Sequence, residues 1–151
     1  MILPFILAYI GMAIMLAGSC AGSSIGVTMC GNTTIGALKK NPDIFGSSMI
    51  LSALPSTQGL YGFAGFFLLL NTLGSATELS VGQGLAVCAA GIGLGVVGYV
   101  SAIKQASISA NGIVEMSNGN DVFGKTLILA VFPELYAILT FAATFLVMSI
   151  L

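Results

Sequence analysis

The chain has 151 residues, 57% of them hydrophobic and 6% charged, with a net charge of −1 at neutral pH. Soluble domains carry about 25% charged residues, so this composition and a mean hydropathy of +1.07 leave an integral membrane protein as the class. There is no basic patch for nucleic acid, and the absence of His excludes histidine catalysis and histidine metal sites.

Four apolar segments follow one another, at 5–37, 47–73, 81–114 and 122–151. Each meets or exceeds the roughly 20 residues that a spanning helix needs. The first begins without the basic region of a signal peptide and is too long for one, so it reads as a retained helix. It carries Gly18, Gly22 and Gly26 at every fourth position. The break after it holds Lys39, Lys40, Asn41, Pro42 and Asp43. The second segment is bulkier, with Phe63, Phe66 and Phe67, and carries the polar run Ser56-Thr57-Gln58 followed by Tyr61. Asn71, Gly74, Ser75, Thr77 and Glu78 make the second break. The third segment repeats the small-residue pattern at Gly98, Ala102, Ala106 and Ala110, and contains Lys104 and Gln105. Glu115, Asn118, Gly119, Asn120 and Asp121 make the third break. The fourth segment is bulky again and holds Pro133 and Glu134.

Small residues at this spacing let helix backbones approach closely in a bilayer. The first and third segments are therefore expected to pack tightly inside, with the second and fourth facing lipid or a partner. Cys20, Cys30 and Cys88 lie far apart, without metal or disulfide spacing, and read as small buried hydrophobes.

A shift of 78 residues lays Asp43-Ile-Phe45-Gly46 on Asp121-Val-Phe123-Gly124, Pro55 on Pro133, Phe63 on Phe141 and Phe67 on Phe145. The unit is a helical hairpin used twice, over 1–74 and 75–151. At this shift Ser56 falls on Glu134, so only the second hairpin has the carboxylate. Lys39 and Lys40 in the first break and Lys125 after the third place loops 38–46 and 115–125 in the cytoplasm and the termini outside.

Glu134 is the one carboxylate of its segment, nine residues from Lys125, which is roughly 14 Å of helix and about half of a 30 Å hydrocarbon core. A charge at such depth costs roughly 2.5 kcal/mol or more, and such residues usually face a protein interior and bind or relay ions. Ser56, Thr57, Gln58 and Tyr61 lie at the matching depth on the second segment, and Gln105 on the third. One carboxylate, one hydroxyl and two amide oxygens are hard donors suited to a small cation. A single carboxylate neutralises one monovalent ion. Two glutamines favour Na⁺, which needs several oxygens, over H⁺, which needs one carboxyl. Tyr61 could hold the carboxylate by a hydrogen bond, and Thr57 could instead bond its own helix carbonyl. Pro55 and Pro133 free backbone carbonyls one turn earlier. Lys104 lies near the depth of Glu134, so a structural Lys104–Glu134 ion pair is a competing reading.

The run Leu54-Pro-Ser-Thr-Gln-Gly-Leu-Tyr-Gly62, with Gln105 and Glu134-Leu-Tyr-Ala-Ile-Leu139, resembles the membrane-rotor proteolipid (c or K subunit) of V-type rotary ATPases, most closely its sodium-pumping bacterial form. The likeness covers nearly the whole chain. It implies an all-α integral membrane fold of four spans in two tandem hairpins, assembling into a homo-oligomeric rotor ring. It implies Na⁺ ligands at the Leu54 carbonyl and the side chains of Thr57, Gln58, Gln105 and Glu134, with Tyr61 orienting the carboxylate. It further implies partners in a stator membrane subunit and central-stalk subunits, with ATP hydrolysed on other chains. Lys104 stands outside that pattern. The same rotor carrying H⁺ is one alternative. A small multidrug-type cation antiporter is another, though it would favour Trp and need no duplicated hairpin.

Overall fold

The computed structural model describes residues 2–149 and 151. All regular structure among them is helical: α1 (Leu3–Leu38), α2 (Phe45–Ala53), α3 (Thr57–Ser75), α4 (Val81–Ser117) and α5 (Phe123–Met148). Four stretches are long and apolar enough to cross a membrane, namely Leu3–Leu38, Pro42–Ser75, Val81–Ser117 and Phe123–Met148. The second joins α2 to α3 through a 3₁₀ turn at Leu54–Ser56.

The polar breaks end the helices by ordinary capping. Asn41 accepts the Asp43 N–H at 3.2 Å and starts a 3₁₀ turn at Pro42–Ile44. Ser80 and Gln83 form a reciprocal capping box at the start of α4. At its other end Gly119 takes φ +89°, and the N–H groups of Gly119 and Asn120 turn back to Met116 and Glu115 at 3.0 and 3.2 Å. The first and third loops meet where Lys40 Nζ donates to Asn118 Oδ1.

The small-residue helices pack on each other, as their spacing predicts. A Cβ added to Gly18 would lie 2.6 Å from the Gly95 oxygen, and one on Gly95 would lie 2.5 Å from the Ile14 oxygen. Backbones this close replace lipid contacts with dense dispersion contacts. The bulky helices α3 and α5 flank this pair and expose Phe63, Phe67, Leu139 and Phe145, while α1 and α4 also keep apolar side chains such as Ile10, Ile25, Val96 and Val100 exposed. One buried apolar cluster gathers Met12, Met15, Leu69, Val87 and Leu94. A second gathers Cys30, Leu51, Ala106, Ile113 and Met116. The polar residues Gln58, Ser101 and Gln105 fall between them along α3 and α4.

One expectation needs correction. Cys30 is buried, but Cys88 is half-buried and Cys20 is exposed, because Cys20 lies on the face of α1 turned away from the packed glycines. The two repeat-related prolines behave differently. Pro55 breaks its span into a 3₁₀ turn, whereas Pro133 stays inside α5. After Pro55 the hydroxyls of Ser56 and Thr57 bond the Ala53 and Leu54 carbonyls at 2.6 and 3.1 Å, each three residues back, and tighten the turn. Glu134 and Leu135 stand at the matching positions and have no hydroxyl.

Candidate functional site

Glu134 projects inward from α5 and is 9% exposed. Its Oε1 accepts the Tyr61 hydroxyl at 2.7 Å, and its Oε2 accepts Gln105 Nε2 at 2.7 Å. Hydrogen bonds to a charged group are worth about 1.5–3 kcal/mol each, which is what a carboxylate at this depth requires. The Gln105 oxygen in turn accepts Gln58 Nε2 at 2.8 Å. Both glutamines are fully buried, so each amide needs partners at both ends.

Gln58 supplies the link to a second group of oxygens. Its Nε2 also donates to Ser101 Oγ at 3.0 Å, and the Ser101 hydroxyl donates to the Pro133 carbonyl at 2.8 Å. The amide oxygen is thereby turned the other way, 3.3 Å from Thr57 Oγ1. Thr57 Oγ1 donates to the Leu54 carbonyl at 3.1 Å. Leu54, Thr57 and Gln58 therefore present three neighbouring oxygens, and Gln58 and Gln105 connect them to the carboxylate. One network ties α3, α4 and α5 together.

The backbone of α3 is placed by its neighbours. Gly59 N–H donates to Ser23 Oγ at 2.7 Å. A Cβ on Gly62 would overlap the Ser19 side chain, so α3 approaches α1 closely on either side of Tyr61. The Tyr61 ring stacks on Phe141 of α5, with centroids 6.0 Å apart.

The structure thus assembles Leu54, Thr57, Gln58, Tyr61, Gln105 and Glu134. Ser56, grouped with them by depth, is exposed and bonds its own helix. Lys104 is exposed and makes no ion pair among the described residues. It lines an apolar groove of about 730 Å³ between α4 and α5, beside Val100, Phe132, Pro133 and Tyr136. The Lys104–Glu134 pair is therefore absent; Lys104 is turned roughly 100° about the helix from Gln105, which bonds Glu134 in its place. Ser101 was missed by sequence reasoning. Two signals point to it: it sits one turn before Gln105, and the repeat lays it on Ser23, another serine that holds α3.

The family model of the ATP synthase C subunit matches residues 10–69 and 80–147, one stretch in each hairpin. The chain is similar to the V-type sodium ATPase subunit K of Enterococcus hirae, with 38% identity over 141 residues, covering 93% of this chain and 89% of the relative. It is also similar to the A-type ATP synthase subunit K of Methanocaldococcus jannaschii, with 33% identity over 138 residues, covering 91% of this chain and 60% of the relative.

Proposed function

Since the chain belongs to the ATP synthase C-subunit family, we propose that it is the ion-carrying rotor subunit of a Na⁺-translocating V-type ATPase. It is a non-catalytic, multi-pass membrane subunit. ATP is hydrolysed on partner subunits, and copies of this chain form a ring that turns against a stator membrane subunit, driven through a central stalk. The observation that carries the Na⁺ reading is the oxygen set around Gln58. A proton carrier needs a carboxyl and one partner, whereas here a carbonyl, a hydroxyl and two amides are arranged beside the carboxylate.

In this reading Na⁺ is held by the Leu54 carbonyl, Thr57 Oγ1, the oxygens of Gln58 and Gln105, and the Glu134 carboxylate. Tyr61 keeps the carboxylate in place. With one carboxylate and one Na⁺ the site is neutral and passes through lipid, which a bare charge does only at a cost of roughly 2.5 kcal/mol or more. At the stator a fixed cation displaces the ion into a half-channel. The ring does work of roughly 2.3 kcal/mol for each charge moved against 100 mV.

The hairpins 1–74 and 75–151 act as one carrier with one ion. Loops 38–46 and 115–125 face the cytoplasm and the stalk, with the termini outside. The lysines of these loops support this orientation, and the Lys40–Asn118 bond keeps the two loops on one side of the membrane.

Carbodiimide labelling of Glu134 tests the cargo, because the reagent attacks the protonated carboxyl. At fixed pH, Na⁺ is expected to suppress labelling, and Glu134→Gln to abolish it. If pH alone governs labelling and Na⁺ gives no protection, the rotor carries H⁺ instead.

A further inference from the structure

Inside the chain the two hairpins meet through one face of α1 and one face of α4. A Cβ on Gly22 would lie 2.5 Å from Tyr99 Cα, and one on Gly26 would lie 3.0 Å from the Ala102 oxygen and 3.2 Å from Ala106 Cβ. The 78-residue repeat carries Gly22 and Gly26 onto Val100 and Lys104 of α4, and carries Ala21, Ser24 and Thr28 of α1 onto Tyr99, Ala102 and Ala106. Neither image face is used within the chain. Val100 and Lys104 line the open groove between α4 and α5. Ala21, Ser24 and Thr28 are exposed on α1, turned away from α4.

The polar groups on the two image faces are complementary. Among the described residues, the Lys104 ammonium has no hydrogen bond or ion pair, and neither the Ser24 nor the Thr28 hydroxyl has a partner. Four threonines elsewhere in the helices, Thr33, Thr72, Thr140 and Thr144, all bond the carbonyl four residues back. Ser24 and Thr28 have not done so. An ammonium in an apolar groove needs oxygens, and it has three donors to place. The internal contact of Gly26 with the Ala102 carbonyl puts Lys104 beside the Ser24 carbonyl of a second copy, with the Ser24 and Thr28 hydroxyls within reach.

We propose that the groove between α4 and α5 receives α1 of a second copy, and that Lys104 latches this seam by donating to Ser24 and Thr28 of that copy. The inference rests on the ring reading above. The seam differs from the internal interface it copies. Val96, Val100 and Lys104 stand where Gly18, Gly22 and Gly26 stand inside the chain, so the backbones meet less closely and a polar latch replaces backbone contact. The seam also lacks a carboxylate, because Ser56 stands where Glu134 does.

The test uses the full chain in its membrane, with Cys20, Cys30 and Cys88 changed to Ala. Ala21→Cys combined with Val100→Cys, bridged by oxidation or a short bis-thiol reagent, is expected to give a ladder of multimers on a denaturing gel. Neither single variant should do so. In the native-cysteine chain, Lys104→Met and Ser24→Ala/Thr28→Val are each expected to lower the temperature at which the ring dissociates in detergent by several degrees. Combined, they should lower it no further than either alone, and Glu134 should stay Na⁺-protected in the same membranes. Additive losses would overturn the latch. A ring that is intact by native mass but gives no ladder would overturn the seam while leaving the rotor reading standing. Failure to find any oligomer before bridging would overturn the ring itself.

Discussion

Ser101→Ala separates positioning of the ion ligands from mere packing. The Ser101 hydroxyl stands between Gln58 Nε2 at 3.0 Å and the Pro133 carbonyl at 2.8 Å. Without it, one N–H of a fully buried amide loses its acceptor, a loss of about 1–3 kcal/mol. The Thr57 and Leu54 oxygens on the other side of the amide are available as replacement acceptors. Turning Gln58 toward them satisfies the N–H but withdraws those oxygens, and the amide oxygen itself, from a bound Na⁺. If about 1.4 kcal/mol of that loss falls on the bound state, Na⁺ affinity drops about tenfold. The assay is the Na⁺ concentration that half-protects Glu134 from carbodiimide at fixed pH. The Na⁺-free labelling rate should stay at the wild-type level, because Tyr61 and Gln105, the groups that touch the carboxylate, are untouched. Ser101→Thr keeps the hydroxyl and should restore most of the affinity. If Ser101→Ala half-protects within twofold of wild type, while Gln58→Leu shifts the midpoint far beyond tenfold, then Ser101 does not orient Gln58 and the reasoning fails.

Tyr61→Phe removes the 2.7 Å bond to Glu134 Oε1 and keeps the stacking on Phe141. A bond to a charged group is worth about 1.5–3 kcal/mol, so Na⁺ protection should weaken about tenfold or more in a chain of near-normal thermal stability. A shift under twofold would mean that Gln105 alone fixes the carboxylate. Gly22→Val forces a side chain to within 2.5 Å of Tyr99 Cα. It should destabilise the detergent-solubilised chain by about 1–3 kcal/mol or more, read as a lowered unfolding temperature. Gly31→Ala, with nothing within 4 Å of the added carbon, is the matched control and should unfold at the wild-type temperature or slightly above.

What could be read from the sequence was depth. Counting about 1.5 Å per residue from Lys125 placed Glu134 level with Gln58, Tyr61 and Gln105, and the structure joins these four. What could not be read was rotation about each helix axis, which partners decide. Ser56 and Thr57 are adjacent and equally deep, yet only Thr57 faces the network, because the 3₁₀ turn after Pro55 sets the register. Lys104 and Gln105 divide in the same way, one into the groove and the other into the core. Ser101 stayed hidden for a different reason. A serine costs little to bury on a small-residue helix, so it does not stand out as two glutamines and a carboxylate do.

The unequal use of the two hairpins has a mechanical consequence in the proposed ring. At the position of Glu134 the first hairpin carries Ser56, which lacks a carboxylate and also points out of the fold, bonded to Ala53. Building a second ion site would therefore need more than Ser56→Glu. The Gln58 and Gln105 positions map onto Tyr136 and Val27 at the seam, which offer a new carboxylate no amide. The ring thus moves one charge for every two hairpins. Each charge moved against 100 mV takes roughly 2.3 kcal/mol. For a given free energy per turn, half the charges can be driven against twice the potential, so one carboxylate for two hairpins favours the height of the gradient over the number of ions moved.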